Sequence, residues 1–317
     1  MAEYIGRFAP SPTGPLHLGS LFLALASYLD ARASHGKWLL RMEDLDPPRE
    51  VAGAADTIIQ QLTNHELHWD GSVAYQSHRH EAYREAVEAL SAKELIYPCQ
   101  CTRARLRSLG GTYDGHCRPT GNVGHPSADT ADDTPSTAHT ATSTKLPPAY
   151  RLRVHDKEET TWQDLIQGQC HQSLAQSTGD FVVIRRDGLF AYQLAVSVDD
   201  AFQGITHVIR GDDLLDSTPR QIYILQQLGL KVPNYGHIPV IQDHLGNKLS
   251  KQRFAPAVNA STPGANLEHC LLLLGFDPVE MKLVTGAPLK QLLEWATANW
   301  SRDRIPHFST RLEAFTV

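Results

Sequence analysis

No stretch of the 317-residue chain approaches the roughly 18 consecutive apolar residues that a membrane-spanning helix needs, so anchoring through such a helix is excluded. The opening MAEYIGRFAP has no basic segment followed by an apolar run and a small-residue cleavage site; a secretory signal is therefore not expected, and a cytoplasmic protein is. Positive charge is not in excess: the net charge is −6 and the pI about 6.2. Indiscriminate coating of nucleic acid is thereby argued against, although a local basic face stays open. No internal repeat is visible. Cysteines are few and odd in number, five in all. Cys99, Cys101 and Cys117 lie close together while Cys170 and Cys270 stand alone, and in a reducing compartment such clustering suggests metal before disulfide.

What is present is globular. Hydrophobic residues make up 41% and charged residues 20%, in a chain longer than the usual single domain. EYIGRFA reads as a strand, LGSLFLALASYLDARASHG as a helix stopped by Gly36, and KWLLRMEDLD as a second buried strand. That order is the opening of a nucleotide-binding α/β fold. Helical patterns follow at 52–65 and 80–93. The segment from Gly121 to Ala149 is nearly all Ala, Ser, Thr, Asp, Pro and Gly, and is expected to be a flexible loop. YRLRV resumes regular patterning. DFVVIRRDGLFAYQLAVSVDDAFQGITHVIRG then reads as a hairpin around RDG followed by further strands. TPRQIYILQQLG is helical, HIPVIQ a strand, and NLEHCLLLLG and LKQLLEWATANW close the chain as a small helical appendage.

Two stretches carry chemistry. In RFAPSPTGPLHLGS the prolines restrict the turn, Gly14 and Gly19 let backbone approach a ligand, and the following helix aims its positive end at the turn, which makes an anion site. His17 lies where an imidazole can donate to a phosphate oxygen as charge develops. NKLSKQR places Lys248, Lys251 and Arg253 on a polar loop after a strand, suited to phosphate contacts.

Together these stretches resemble the HIGH and KMSKS signatures of the class I aminoacyl-tRNA synthetases. RFAPSPTGPLHLG, RMEDLDPPR, AYQLAVSVDD, THVIRGDDLL and NKLSK follow, in order, the pattern of the glutamyl and glutaminyl branch, over about residues 4 to 253. The resemblance implies a class I Rossmann-type nucleotide-binding α/β fold with a zinc-containing insertion and a small C-terminal helical appendage. It implies L-glutamate held by Arg7, Ala9, Ser11, Glu43, Tyr192 and Arg210, with His17 and Lys251 catalytic. ATP, with Mg2+, would lie against His17, Gly19, Ser20, Lys248, Leu249, Ser250 and Lys251. The chemistry is consistent: an ammonium needs an anion such as Glu43, and two carboxylates need guanidinium groups such as Arg7 and Arg210. A plainer alternative makes Arg41, Glu43 and Asp44 one surface salt-bridge cluster and Arg210 with Asp212 another. Ser20 departs from the signature, standing where its second histidine would be.

The spacing C-x-C followed by Y-x-x-x-C offers three thiolates for tetrahedral zinc, with Tyr113, His116 or water as the fourth ligand. The arrangement Cys99, Cys101, Tyr113, Cys117 resembles that of the glutamyl-Q tRNA(Asp) synthetases, truncated paralogues of glutamyl-tRNA synthetase. Only 64 residues follow Arg253, too few for a large anticodon-binding body. The expected division is a first catalytic half (1–98), a zinc-containing insertion with its loop (99–185), a second half (186–247), and the KLSK loop with a helical subdomain (248–317). The resemblance implies glutamate activation without tRNA and transfer to queuosine in tRNA(Asp), by a monomer. The alternatives are a minimal synthetase charging a tRNA 3′ end and an inert zinc-stabilised RNA-binding paralogue.

Overall fold

The computed structural model describes residues 3–119, 147–242 and 256–306. Strand β1 (Ile5–Phe8) leads through the proline-rich turn into helix α1 (Leu18–Ala33), and the chain returns as β2 (Lys37–Met42), parallel to β1 with Arg7 opposite Leu39. Helix α1 buries Leu21, Leu25 and Leu29, one face at helical spacing. Its return is tight, because a Cβ at Gly36 would stand 2.4 Å from the Tyr4 carbonyl oxygen; only glycine lets the strand start there. Helix α2 (Ala54–Asn64) precedes β3 (Ala74–Tyr75), parallel to β2, and α3 (His80–Ser91) follows.

Next come β4 (Ile96–Cys99), α4 (Arg103–Ser108), β5 (Ala149–Leu152), β6 (Glu159–Asp164), β7 (Gly168–Ser173), α5 (Leu174–Ser177) and β8 (Phe181–Ile184). Strands β4, β5 and β8 form an antiparallel sheet in that order, and β6 with β7 a separate hairpin. The chain continues with α6 (Tyr192–Phe202), β9 (His207–Gly211), α7 (Thr218–Leu228), β10 (Asn234–Ile238), α8 (Pro263–Leu273), α9 (Pro278–Met281) and α10 (Leu289–Ala298). Strand β10 is parallel to β9. Thr206 joins β9 to β1: its amide donates to the Ile5 carbonyl (2.9 Å) and its hydroxyl accepts from the Ile5 amide (2.8 Å). The strands thus lie in the spatial order β3-β2-β1-β9-β10, and the order reverses between β1 and β9. Ligands of open α/β sheets bind at the carboxyl ends of strands at such a switch point.

Two expectations are corrected. Of the strands expected after RDG, HVIRG forms one as β9, but Tyr192–Phe202 is helical and the hairpin shrinks to one bridge between Ile184 and Phe190. Val196 and Val198 favour strand locally, but Leu194, Ala195 and Val198 pack as one helical face against α3 and α7, and packing overrides propensity. The supposed loop ends earlier than Ala149, which is buried in β5 opposite Cys99; positions 121–146 lie outside the described residues. The C-terminal helices sit on α1. There Asp30 accepts from Trp300 Nε1 (2.9 Å), from Arg302 Nε (2.8 Å) and from the Tyr4 hydroxyl. Among the described residues no helix is long and apolar enough to cross a membrane.

Candidate active site and metal centre

The turn after β1 is pinned by backbone to the segment that follows β2: the Glu43 amide donates to the Pro10 carbonyl and the Val51 amide to that of Pro12, each at 3.0 Å. Gly14 adopts φ 131°, which a side chain would strain. Ala9 is half-buried and Ser11 exposed along this turn. Leu16 is gripped on both sides, its amide donating to Gln61 Oε1 (2.7 Å) and its carbonyl accepting from the Val258 amide (2.9 Å). His17 caps α1: Nδ1 accepts from the Ser20 amide at 3.3 Å, leaving the proton on Nε2, 3.0 Å from the Ser20 hydroxyl. Gly19 and Ser20 form the first turn of that helix. Lys248, Leu249, Ser250, Lys251 and Arg253 lie outside the described residues. The chain flanking them is tied to the same place, since Val240 bonds to Asp212 (3.1 Å) and Ala257 bridges to His17.

Arg7, at the end of β1, meets Asp200 of α6 through two bonds of 3.2 Å. Arg41, at 0% exposure, reaches Asp200 at 2.7 Å and Glu43 at 3.4 Å. The surface-cluster alternative therefore fails for Arg41, and Asp44 instead caps Ser77. Burial alone would raise Asp200, but Arg7 and Arg41 outweigh it and hold the carboxyl below its usual range. At Glu43 burial wins over the pull of Arg41 and Arg7, so its pKa is raised.

Arg210, on β9, has no carboxylate partner among the described residues. Its Nε donates to His237 Nε2 (3.0 Å), Nη1 to Gln221 Oε1 (2.7 Å), and Nη2 to the Thr218 hydroxyl (2.7 Å) and the Leu214 carbonyl (3.4 Å). All four acceptors are neutral, the side chain is buried, and one N–H on Nη1 meets no acceptor among the described residues. Tyr192 opens α6, not a strand. Burial pushes its phenol up, as does Glu43, while Arg210 and Arg7 pull it down, so each of the three lies within electrostatic reach of Tyr192. Asp200, His237, Gln221 and Thr218 are not marked as site residues by any pattern in the sequence analysis above. The one available signal was the adjacent acidic pair closing the apolar AYQLAVSVDD.

A consequence is testable by pH. If Glu43 binds the substrate ammonium as a carboxylate, its raised pKa means that affinity is full above that pKa and is lost as pH falls through it, beginning above the ordinary carboxylate range. The KM for glutamate should rise on acidification from neutrality, and Glu43→Gln should give a high KM with a flat profile. A parental profile in Glu43→Gln would refute the role.

The second cluster lies between β4 and the turn after α4. Cys101 and Cys117 sulfurs are 3.5 Å apart, and the Tyr113 hydroxyl is 3.6 Å from Cys99 Sγ and 3.7 Å from Cys101 Sγ. The three thiol sulfurs lie within 4.8 Å of one another. A tetrahedron with metal–sulfur bonds of about 2.3 Å has edges of roughly 3.7 Å, so this donor set fits a metal ion. The His116 side chain is exposed and outside this group. Arg151 Nε donates to Cys99 Sγ at 3.3 Å. Burial opposes ionisation of Cys99, yet the Cys101 amide, Tyr113 and Arg151 bring its thiol down to about 7; burial keeps Cys101 raised.

The fold and site place the chain in a class. The family model described as tRNA synthetases class I (E and Q), catalytic domain, matches residues 5–274. A glutamyl-Q tRNA(Asp) synthetase of Ectopseudomonas mendocina (strain ymp) is 47% identical over 98% of this chain and 98% of its own length. The one of Escherichia coli (strain K12) is 47% identical over 96% of this chain and 91% of its own length. The chain belongs to the glutamyl-Q tRNA(Asp) synthetase family. A glutamate-tRNA synthetase crystal structure from Elizabethkingia anophelis superposes with a TM-score of 0.78 at 22% identity, over 99% of this chain and 68% of that one, a likeness of fold alone.

Proposed function

We propose that the chain activates L-glutamate with ATP in the absence of tRNA and then transfers the glutamyl group to the queuosine base at the wobble position of tRNA(Asp). Arg210 carries this reading. A buried cation held only by neutral acceptors is costly until an anion completes it, and the side-chain carboxylate of glutamate is such an anion. Glu43 receives the α-ammonium, Tyr192 adds a directional hydroxyl, and Arg7, Ala9 and Ser11 border the same turn. The names of the relatives supply the acceptor.

In the first step an α-carboxylate oxygen of glutamate bonds to the α-phosphorus of ATP, and the bond to the β-bridging oxygen breaks, its electrons leaving with pyrophosphate. The Nε2 proton of His17 and the positive end of α1 meet charge on the phosphates, with Gly19 and Ser20 alongside. Lys248 and Lys251, flanked by Leu249 and Ser250, neutralise the departing pyrophosphate, whose Mg2+ arrives with ATP. In the second step a hydroxyl of queuosine attacks the glutamyl carbonyl, loses its proton, and AMP leaves. Cys99, Cys101 and Cys117, with Tyr113, would hold zinc, which would supply a structural crosslink apart from these steps.

Labelled pyrophosphate should exchange into ATP with glutamate and no RNA. Labelled glutamate should then charge an aspartate tRNA preparation containing queuosine and not a matched one lacking it. Absence of exchange would sink the activation reading and favour an inert RNA-binding paralogue; charging of a glutamate tRNA 3′ end would sink the acceptor.

A further inference from the structure

We infer that His237 and Asp164 are positioning residues that hold Arg210 for the substrate carboxylate without neutralising its charge. The inference rests on the reading of Arg210 as the carboxylate ligand. Guanidinium nitrogens only donate, so His237 Nε2, 3.0 Å from Arg210 Nε, must accept. The imidazole proton is thereby fixed on Nδ1, which faces Asp164 Oδ2 at 2.5 Å. Asp164 is anchored in turn: its Oδ1 accepts from the amides of His237 (3.0 Å), Ile166 (3.0 Å) and Gln167 (2.9 Å), the last two in the turn between β6 and β7. That turn is fastened to β10, because the Leu165 amide donates to the Tyr235 carbonyl and Gln167 Nε2 to the His237 carbonyl, each at 2.8 Å. Thr218 shares the arrangement, its hydroxyl 3.0 Å from His237 Nε2 while accepting from Arg210 Nη2.

The contrast with Arg7 and Arg41 gives the arrangement its meaning. Those two guanidiniums touch carboxylates directly, Arg7 that of Asp200 and Arg41 those of Asp200 and Glu43. For Arg210 the carboxylate of Asp164 is reached only through the His237 ring, which stands between them. Direct contact with Asp164 would fix the guanidinium and cancel it; an interposed imidazole fixes it and leaves the charge for a ligand. Both His237 and Asp164 are fully buried, and burial with Arg210 nearby favours the neutral ring over the pull of Asp164.

The test is glutamate-dependent pyrophosphate exchange by the full chain, read as separate KM and kcat values, with thermal melts to confirm folding. His237→Ala should raise the KM for glutamate roughly tenfold or more while kcat and the KM for ATP stay within about threefold. His237→Gln, whose Oε1 can accept from Arg210 Nε, should return most of the glutamate affinity. A purely structural tie between hairpin and strand would lower the melting temperature of both variants and leave the KM of the folded fraction alone. An unchanged KM in folded His237→Ala, or a loss that His237→Gln does not reverse, would overturn the inference. Should His237→Ala not fold, Asp164→Asn decides in its place: a raised glutamate KM at parental kcat upholds the inference and a parental KM overturns it. Arg210→Ala separates the levels. If it leaves the KM for glutamate unchanged, the underlying reading is wrong; if it raises the KM while His237→Ala does not, only the positioning role falls.

Discussion

Replacing Arg210 by alanine should weaken glutamate binding by about two orders of magnitude or more, the largest effect expected of any substitution among the described residues. Charge-assisted hydrogen bonds are worth roughly 1.5–3 kcal/mol, and the truncation also leaves the substrate carboxylate buried without a counter-charge. Arg7 cannot take over, since its guanidinium is engaged with Asp200 through both bonds. The loss should fall on affinity and not on ATP binding, because the triphosphate contacts proposed for His17 and Lys251 do not involve β9. Arg210→Lys should recover part of the affinity, restoring charge without the planar fork that His237, Gln221 and Thr218 hold in place. Calorimetric titration with glutamate checks both variants, and an Arg210→Ala protein within threefold of the parent would remove the foundation of the proposed function.

Cys101→Ser should take the zinc content from about one ion per chain to a small fraction of that. Cys101 is central in the cluster, with Cys117, Tyr113 and Arg105 all in contact with its sulfur. The alcohol is a far poorer metal ligand than a thiolate, so three of the four donors no longer suffice for tight binding. Beyond β4 the segment at stake is tied to the rest of the chain mainly by polar contacts, such as the Tyr113 amide to the Thr178 carbonyl (2.9 Å) and the Thr112 hydroxyl to the Gln176 carbonyl (2.7 Å). The cluster around Tyr97, Cys99, Cys101 and Tyr113 is small and separate from the main core, and Arg118 adds a tie to Asp180 at 2.6 Å. Loss of a few kcal/mol of local stabilisation should lower the melting temperature by roughly 5–10 °C and expose 99–119 to protease before the rest of the chain. Metal analysis with a thermal melt decides it: parental zinc and stability in Cys101→Ser would refute the metal centre.

The sequence was legible where the physical constraint is local. The strand, proline-rich turn and helix around His17 could be read because Pro, Gly and an apolar stripe act within a few residues. The C-x-C and Y-x-x-x-C spacing could be read because a metal draws its ligands from short turns. Tyr192 was misassigned to a strand because Val196 and Val198 have the same local preference in either setting, and only the faces of α3 and α7 decide between them. The hairpin of β6 and β7 went unread because ETTWQD and GQCHQS are largely polar and lack the apolar alternation that marks a half-buried strand.

By itself, then, the sequence determined the family, the parallel α/β opening, the residue types that an ammonium, two carboxylates and a triphosphate require, and the metal-ligand spacing. Only the tertiary structure decided which charges cancel. Asp200, far from Arg7 and Arg41 along the chain, pairs with both and shares Arg41 with Glu43, while Asp164 is kept from Arg210 by the ring of His237. The reason is physical: whether a guanidinium is free for a ligand depends on which side chains crossing strands bring within about 3 Å of it, and no pattern along one strand encodes its neighbours on the next.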